Sequence, residues 1–204
     1  MSQDVFSEDY WDERYGSNDR IWSGRPNPQL VDRVTGMPPG RALEVGAGEG
    51  ADAIWLARQG WQVTALDVSQ VALDKAAVHA SAEGVADRIT WRRVDLSAWS
   101  GEPAAYDLVS AQFMYLDQPA LTTLYRRLAA AVASGGTLLL VGHHPIDARH
   151  GDHDFPDVRW TPEEAASWLD EDEWASITGA TVARPGHHGH GDTMHDGIVQ
   201  AVRR

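Results

Sequence analysis

Three closely spaced glycines follow a short apolar segment and have the spacing of a ligand-binding loop. Gly46, Gly48 and Gly50 lie between residues 41–45, predicted as a strand, and residues 51–58, predicted as a helix. Glycine allows a tight backbone turn and lets a ligand approach main-chain atoms without a Cβ in the way. A purely structural turn would use the same residues. Their place between a strand and a helix favours a loop that binds a ligand.

Two carboxylates follow the next predicted strands. Asp67 lies 21 residues after Gly46, where it can accept hydrogen bonds from both ribose hydroxyls of an adenosine. Asp95 and Leu96 follow the third strand, where the acid can bind an adenine amino group and the leucine can pack on the ring. The alternative roles are structural, with Asp67 as a loop or capping carboxylate and Asp95 as an N-cap. Together these residues predict an adenosine-containing ligand at the carboxyl edge of a sheet.

The glycine spacing alone leaves two cofactors open. Gly46-x-Gly48-x-x-Ala51 also satisfies the dinucleotide fingerprint, so the loop permits NAD(P). Glu44 favours S-adenosylmethionine (SAM), because a buried acid can receive its ammonium group and would repel a pyrophosphate. No Tyr-x-x-x-Lys pair, as a hydride-transfer enzyme of this length would need, follows the loop. Glu44 has an alternative role as the partner of an internal hydrogen bond.

Strands and helices alternate along the middle of the chain. Predicted strands cover residues 41–45, 61–66, 88–94, 106–109, 137–141, 174–182 and 198–202. Predicted helices cover residues 51–58, 69–83 and 121–132, the last of them ended by Gly135 and Gly136, and a further helix begins at Thr161. This alternation predicts an α/β domain with a parallel sheet and right-handed crossovers. The last two strands predict a closing hairpin with a long loop.

Several motifs resemble those of a known family. Residues 43–50 (LEVGAGEG), 66–67 (LD), 94–96 (VDL), 106–109 (YDLV) and 134–136 (SGG) look like the ordered motifs of the class I SAM-dependent methyltransferases. Residues 10–15 (YWDERY) and 21–28 (IWSGRPNP) are also similar to the tellurite-resistance and thiopurine methyltransferase-like branch. The resemblance implies a doubly wound, seven-stranded, mostly parallel sheet with an antiparallel last strand and helices on both faces.

A single methyltransferase domain over residues 1–204 follows from this resemblance. Residues 1–36 are expected to form an N-terminal helical cover and residues 40–142 the SAM-binding core. Residues 143–204 are expected to supply a substrate-side loop, a helix and the closing hairpin.

The motif positions and the resemblance together give the candidate site residues. The cofactor-binding candidates are Trp22, Arg25, Glu44, Gly46, Ala47, Gly48, Asp67, Val68, Asp95, Leu96, Gln112 and Phe113. The substrate candidates are Trp11, Tyr115 and His143. Trp11 and Trp22 can shield a sulfonium with their π-faces, and Arg14 or Arg25 can pair with the methionine carboxylate. For the aromatic residues the alternative role is packing in the core or anchoring a helix.

Histidines are concentrated after the fifth predicted strand. His143 and His144 end that strand at the edge where the site opens, and both are candidate general bases. Solvated loop histidines are the alternative. Residues 187–190 (HHGH), together with His195, could bind a metal, but glycine-rich spacing fixes no geometry and the resemblance implies no metal. We therefore predict a surface loop there and no metal site.

The composition limits the partners. Lys and Arg number 17 against 30 Asp and Glu, so the formal net charge is −13, and such a surface repels nucleic acid and anionic membranes. The chain has no cysteine, which excludes disulfides, thiolate metal sites and cysteine nucleophiles and is compatible with a cytoplasmic protein. We expect no export signal and no membrane span, and a monomer or homodimer with a small-molecule substrate.

The predicted function is methyl transfer from SAM to a small acceptor, with S-adenosylhomocysteine as product. The acceptor is a thiol, a metalloid oxyanion, or an oxygen or nitrogen nucleophile of a metabolite. Residues 110–115 (SAQFMY) do not contain Asn/Asp-Pro-Pro-Tyr, which disfavours methylation of base or amide nitrogens. Two alternatives stay open: a non-catalytic SAM-binding scaffold or regulator, and an NAD(P)-binding oxidoreductase that uses the same glycine loop.

Overall fold

Seven strands form one sheet in the order β3-β2-β1-β4-β5-β7-β6. A computed structural model describes residues 7–150, 158–185 and 193–204, without the side chains of residues 148–150. The strands are β1 Arg41–Val45, β2 Gln62–Asp67, β3 Ile89–Arg93, β4 Tyr106–Gln112, β5 Val132–His143, β6 Trp174–Pro185 and β7 Thr193–Arg203. Strands β1 to β5 pair in parallel, and β7 is antiparallel to both β5 and β6. The predicted mostly parallel sheet with an antiparallel last strand is therefore confirmed.

Helices cover both faces of this sheet. They are α1 Glu8–Gly16, α2 Pro28–Val34, α3 Ala51–Arg58, α4 Gln70–Ala82, α5 Gln118–Ala131 and α6 Pro162–Ala166. Leu30 of α2 and Ile54 of α3 pack on one face, and Leu124 of α5 packs with Trp160 on the other. The central strands are buried on both faces, and the sequence of β5 is therefore almost continuously apolar.

The end of α5 was predicted too late in the chain. The sequence places its end at Gly135 and Gly136, whereas the helix ends at Ala131 and Val132 already pairs with Tyr106 of β4. Gly135 has a φ of +77° and lies where the register between β4 and β5 shifts. The glycines therefore allow an irregularity within the strand, as glycines in strands often do.

Two helix starts follow the expected capping chemistry. The Thr161 hydroxyl oxygen accepts a hydrogen bond from the Glu164 backbone N–H at 3.1 Å, and Pro162 occupies the first turn of α6. The Ser69 hydroxyl oxygen accepts in the same way from the Ala72 N–H at 3.1 Å at the start of α4. These caps satisfy N–H groups that have no partner within the helix, so helix starts of this kind can be located from sequence.

Within the part of the chain that the structure describes, no helix combines the length and the apolar character that a membrane crossing requires.

Candidate functional site

The glycine loop is held against the end of β2. The backbone N–H groups of Gly46 and Ala47 both donate to the Leu66 carbonyl oxygen, at 2.9 and 3.0 Å. Gly46 and Gly48 have φ angles of +73° and +51°, a region that residues with a side chain rarely adopt. A Cβ on Gly48 would lie 2.8 Å from the Tyr15 hydroxyl. The loop therefore needs glycine for its turn and for the close approach of other groups.

Asp67 fixes this loop from the end of β2. Its carboxylate accepts hydrogen bonds from the Gly48 N–H at 2.7 Å and from the Ser69 N–H at 2.9 Å. The side chain is buried, and burial raises the pKa of Asp67 in spite of these hydrogen bonds. A carboxylate has about four acceptor positions, so further donors such as ribose hydroxyls can still be accommodated. Asp67 thus lies beside the glycine loop, and its contact with a ribose stays a prediction.

Glu44 is a buried acid with an unused oxygen. The residue is 1% exposed, and its Oε2 atom has no hydrogen-bond partner in the described part of the chain. Burial first, and then the nearby charge of Asp52, raise the pKa of Glu44, while a hydrogen bond with Ser110 opposes this shift. The Gln112 amide donates to the Ser110 hydroxyl oxygen at 2.8 Å and continues the chain of polar contacts along β4.

These features fit SAM. An ammonium group beside Glu44 would supply both the missing hydrogen bond and the positive charge that a buried carboxylate lacks. The glycine backbone exposes its main-chain groups to close approach, and Asp67 is fixed beside it by the Gly48 N–H. Glu44, Gly48 and Asp67 are therefore the residues that would hold the cofactor's amino group and ribose.

Asp52, next to Glu44 in this site, makes the stability of the protein depend on pH. Burial raises the pKa of Asp52 from its usual 3.8 to about 6, although its Oδ1 accepts a hydrogen bond from the Asn27 N–H at 2.6 Å. The folded state thus keeps a proton that the unfolded state loses, so we expect the free energy of unfolding to fall as the pH rises from about 4 to about 7.

Urea denaturation across this pH range measures the effect. Asp52→Asn keeps an oxygen for the Asn27 N–H but cannot ionise. Its free energy of unfolding should therefore fall less steeply with pH, and the remaining dependence should come from Glu44. Asp107→Asn is the control, because Asp107 is exposed and accepts the Arg41 N–H at 2.7 Å at the opposite edge of the sheet. Equal slopes for Asp52→Asn and the unmodified protein would contradict the assignment.

An N-terminal cover, residues 7–27, lies over the glycine loop. Trp11 and Tyr15 of α1 are buried with Ala72 of α4, and Val68 packs against them. The Trp11 ring lies 5.5 Å from the Tyr115 ring, and the Trp22 indole N–H donates to the Tyr15 hydroxyl oxygen at 2.9 Å. The cover therefore brings Trp22 against Gly48 of the loop that is predicted to bind the cofactor, while Trp11 packs against Tyr115.

Two residues that hold this cover in place, Glu49 and Lys75, were not predicted from the sequence. Glu49 is buried, and its carboxylate accepts the backbone N–H groups of Ile21, at 3.1 Å, and Trp22, at 3.1 Å. Lys75 of α4 donates to the Tyr15 carbonyl oxygen at 2.6 Å and lies 3.9 Å from Glu49. Glu49 lies between two motif glycines, Gly48 and Gly50, and nothing in the local pattern distinguishes it from a solvated acid.

Removing the Glu49 carboxylate should loosen the cover. Glu49→Ala takes away a charged acceptor shared by two backbone N–H groups, each such bond contributing about 1.5–3 kcal/mol. We expect trypsin to cleave after Arg20 at least about tenfold faster, and SAM to dissociate faster by a similar factor. Glu83→Ala, which breaks an exposed pair with Arg58, is the matched control and should change neither rate. Unchanged cleavage in Glu49→Ala would show that the anchor is not needed.

Three candidate residues, Phe113, His143 and His144, lie where β4 and β5 end. Phe113 follows β4 with a φ of +50°, and its ring lies 4.6 Å from the ring of His143 at the end of β5. His144 follows, and its Nδ1 accepts the Ile146 N–H at 3.1 Å. His143 and His144 thus lie at the predicted edge, next to the predicted Phe113, and their catalytic role stays a prediction.

His195 has a structural environment that the sequence did not predict. It lies in β7 rather than in a loop, and its Nδ1 atom is 2.9 Å from Oδ1 of Asp147. Its backbone N–H donates to the other oxygen of the same carboxylate at 2.5 Å. Asp147 is buried, and 48 residues separate it from His195, so neither spacing nor motif could connect them.

The remaining candidates divide between buried and exposed positions. Leu96 is buried in the core that contains α5, while Asp95 is exposed and accepts the Ser97 N–H at 2.9 Å. This contact closes a local turn, and no helix lies between β3 and β4 for Asp95 to cap, so its contact with an adenine stays a prediction. Arg25 is exposed, and its backbone N–H donates to Ser23 at 3.2 Å. Arg14 instead lies between the cover aromatics, with its guanidinium 5.9 Å from the centre of the Trp22 ring.

Metal-binding arrangements of three or more His, Asp or Glu side chains are not found among the described residues. The histidines of residues 187–190, predicted as a surface loop, lie outside the described ranges.

Similarity to known proteins agrees with this geometry. A family model described as "Methyltransferase domain" matches residues 42–136. "Probable thiol methyltransferase 2" of Arabidopsis thaliana is 30% identical over 147 residues, which are 69% of this chain and 64% of that protein. "Ubiquinone biosynthesis O-methyltransferase" of Xanthomonas campestris pv. campestris (strain B100) is 30% identical over 164 residues, which are 70% of this chain and 67% of that protein.

A solved structure shares the whole fold. It comes from work on the conversion of a disulfide bond into a thioacetal group during echinomycin biosynthesis, and it matches with a TM-score of 0.73 at 21% identity. The match covers 96% of this chain and 92% of that chain.

The chain spans between about a third and two thirds of the length of the curated relatives it matches. The chain covers 67% of the Xanthomonas campestris relative at 30% identity, and its glycine loop follows β1. The chain therefore belongs to the class I SAM-dependent methyltransferases.

Proposed function

We propose that this chain transfers the methyl group of SAM to a small nucleophilic acceptor. The observation that carries the proposal is the glycine loop held by Asp67, with the buried and partly unsatisfied Glu44 below it and the N-terminal cover above it. This combination offers an acceptor for an ammonium group, an acceptor for ribose hydroxyls and an apolar cover for the cofactor. The family membership established above supports SAM over NAD(P).

The residues of the chain bind and orient the reactants. SAM supplies an electrophilic methyl group on a sulfonium. Glu44 and Asp67 hold the amino group and the ribose, and Leu96 offers an apolar surface to the adenine ring. Trp11 and Trp22 exclude water from the sulfonium side and present π-faces to its positive charge. Holding donor and acceptor in line at close distance is worth up to about 7–11 kcal/mol in such reactions, so little further catalysis is required.

The acceptor is proposed to be a small molecule with a soft or activated nucleophile. A thiol or a metalloid oxyanion needs little help from a base, whereas a phenol or amine would use His143 or His144 to accept its proton. A relative named as a probable thiol methyltransferase and relatives named as O-methyltransferases support these two classes of acceptor. A thiol acceptor reacts as its thiolate, with its proton already lost to solvent, so neither histidine is needed for that acceptor.

The composition supports a cytoplasmic protein with no nucleic-acid partner. A net charge of −13 opposes binding to phosphate backbones, and the absence of cysteine suits a reducing compartment. We propose a monomer or a homodimer.

Calorimetry with SAM, S-adenosylhomocysteine and NADH tests the cofactor. We expect binding of the first two and no response to NADH. Transfer of a labelled methyl group from SAM to thiophenol, phenol and tellurite then tests the reaction and the acceptor class. Tight binding of NADH without a response to SAM would replace the proposal by the oxidoreductase. SAM binding without transfer to any acceptor would favour the non-catalytic scaffold.

A further inference from the structure

Arg184 reaches the acceptor side of the site from the far edge of the sheet. It lies near the end of β6, yet its guanidinium carbon is 5.6 Å from the centre of the Phe113 ring, which follows β4. On the same side, the Phe113 ring packs against His143. A permanent positive charge is thus brought next to two residues that were predicted, on other grounds, to contact the cofactor or the acceptor.

A buried carboxylate holds this guanidinium in place. Oδ1 of Asp196 accepts a hydrogen bond from Nε of Arg184 at 2.8 Å, and the Asp196 side chain is 3% exposed. Asp196 is the direct neighbour of His143 in the register between β5 and β7. In a guanidinium, Nε and Nη2 donate toward the same side, so a carboxylate bound at Nε leaves Nη1 on the other side. The ion pair therefore orients Arg184 and leaves its outer face for another partner.

One of these terminal nitrogens is buried without an acceptor. Nη1 of Arg184 has no hydrogen-bond partner within the residues that the structure describes, although the side chain is only 18% exposed. An unsatisfied buried donor destabilises the folded state, and more so when it is charged. Proteins rarely keep such a group unless a ligand or water satisfies it.

Phe113 provides a second, independent observation. Its φ of +50° is rare for a residue with a bulky side chain, and such backbone strain is concentrated at ligand sites. The strained turn directs the aromatic ring against the guanidinium and against His143. The chain therefore tolerates a local cost to place a flat apolar surface beside the positive charge.

We propose that Arg184 binds a carboxylate of the methyl acceptor, with Asp196 as its positioning residue and Phe113 as the wall beside it. The acceptor would then be a small organic anion that carries its nucleophilic atom some distance from the carboxylate. A guanidinium matches a planar carboxylate through two parallel N–H bonds, which gives orientation as well as affinity. In a chain of net charge −13, a local cation offsets the repulsion that an anionic acceptor would otherwise meet. This inference rests on the proposed function.

The test compares two thiols that differ in charge. Binding of 4-mercaptobenzoate and of thiophenol is measured by calorimetry on the protein saturated with S-adenosylhomocysteine, so that no turnover is needed. One charge-assisted interaction of about 1.5–3 kcal/mol predicts at least tenfold tighter binding of 4-mercaptobenzoate. Equal affinity for the two thiols in the unmodified protein would overturn the proposal.

The variants separate recognition from folding. Arg184→Gln combined with Asp196→Asn removes both charges together, because removing Arg184 alone would leave Asp196 buried and unpaired. We expect the preference for 4-mercaptobenzoate to fall to within about twofold, while thiophenol binding is unchanged. Arg58→Met, which removes an exposed arginine paired with Glu83, is the control and should keep the full preference.

Thermal melting establishes that each variant is folded. If the double variant does not fold, Arg184→Lys replaces it, since lysine preserves the charge opposite Asp196 but cannot form the two parallel bonds. Arg184→Lys should lose most of the preference. A folded variant that keeps the full preference would overturn the proposal.

The proposed function has its own readout. If S-adenosylhomocysteine does not bind, the methyltransferase proposal fails, and the same pair of thiols is then measured on the protein alone. The preference for 4-mercaptobenzoate over thiophenol, and its loss in the double variant, therefore decide the role of Arg184 whether or not S-adenosylhomocysteine binds.

Discussion

Replacing Asp67 with asparagine is expected to weaken the binding of SAM about 100-fold. The carboxylate accepts the Gly48 and Ser69 N–H groups and is placed to accept two ribose hydroxyls as well. An asparagine has a single acceptor oxygen and presents an NH₂ group where a second donor already points. Two charge-assisted hydrogen bonds together contribute about 3 kcal/mol at the lower limit, which corresponds to about 100-fold in affinity. Calorimetric titration with SAM and with S-adenosylhomocysteine measures the effect.

The matched control for this prediction is Asp107→Asn. Asp107 is also a carboxylate of a central strand that accepts a backbone N–H, but it lies at the amino edge of the sheet. Its substitution should leave the affinity for SAM unchanged, while urea denaturation reports the stability of both variants. An Asp67→Asn protein that is folded and binds SAM within about threefold of the unmodified protein would remove Asp67 from the site.

Replacing Gly50 with alanine is expected to lower the free energy of unfolding by about 3 kcal/mol. Gly50 precedes α3 with a φ of +87°, and an added Cβ would lie 2.8 Å from both the Ala76 Cβ and the Trp91 ring. The left-handed conformation costs about 1–2 kcal/mol for a residue with a Cβ, and an added methyl group in a packed interior costs about 1–3 kcal/mol more. Urea denaturation with linear extrapolation provides the measurement.

Gly36→Ala isolates the cost of the backbone conformation. Gly36 has nearly the same φ, +86°, but no atom lies within 4 Å of the position of its Cβ. We expect a loss of about 1 kcal/mol there. If both substitutions destabilise the protein equally, α4 and Trp91 do not pack against the glycine loop as closely as described.

Much of the candidate site could be predicted from the sequence, because its parts lie at the ends of neighbouring strands. Glu44, Gly48 and Asp67 each belong to a strand end or to the turn that follows it, and parallel strands bring their carboxyl ends to the same edge. Helix α3 was predicted with its observed bounds because the glycine loop defines its start. Strand ends were less accurate: β4 continues to Gln112, three residues beyond the predicted end, since pairing with β1 and β5 extends it.

The sequence by itself determined the order of strands and helices and the local chemistry of the glycine loop. These depend on periodicity, turn residues and caps within a few positions of one another, which are properties that a short window of sequence contains. They were sufficient to predict the fold class and the adenosine-type site before any contact was known.

Only the tertiary structure decided which distant residues contact one another around the candidate site. Glu49 meets the backbone of Ile21 and Trp22, and the carboxylate of Asp147 meets His195 across 48 residues. Arg184 reaches Phe113 from the opposite side of two intervening strands. The physical reason is that such contacts depend on how strands are ordered and registered in the sheet. No local preference of the chain encodes the partner of a charged side chain that folding brings in from a remote segment.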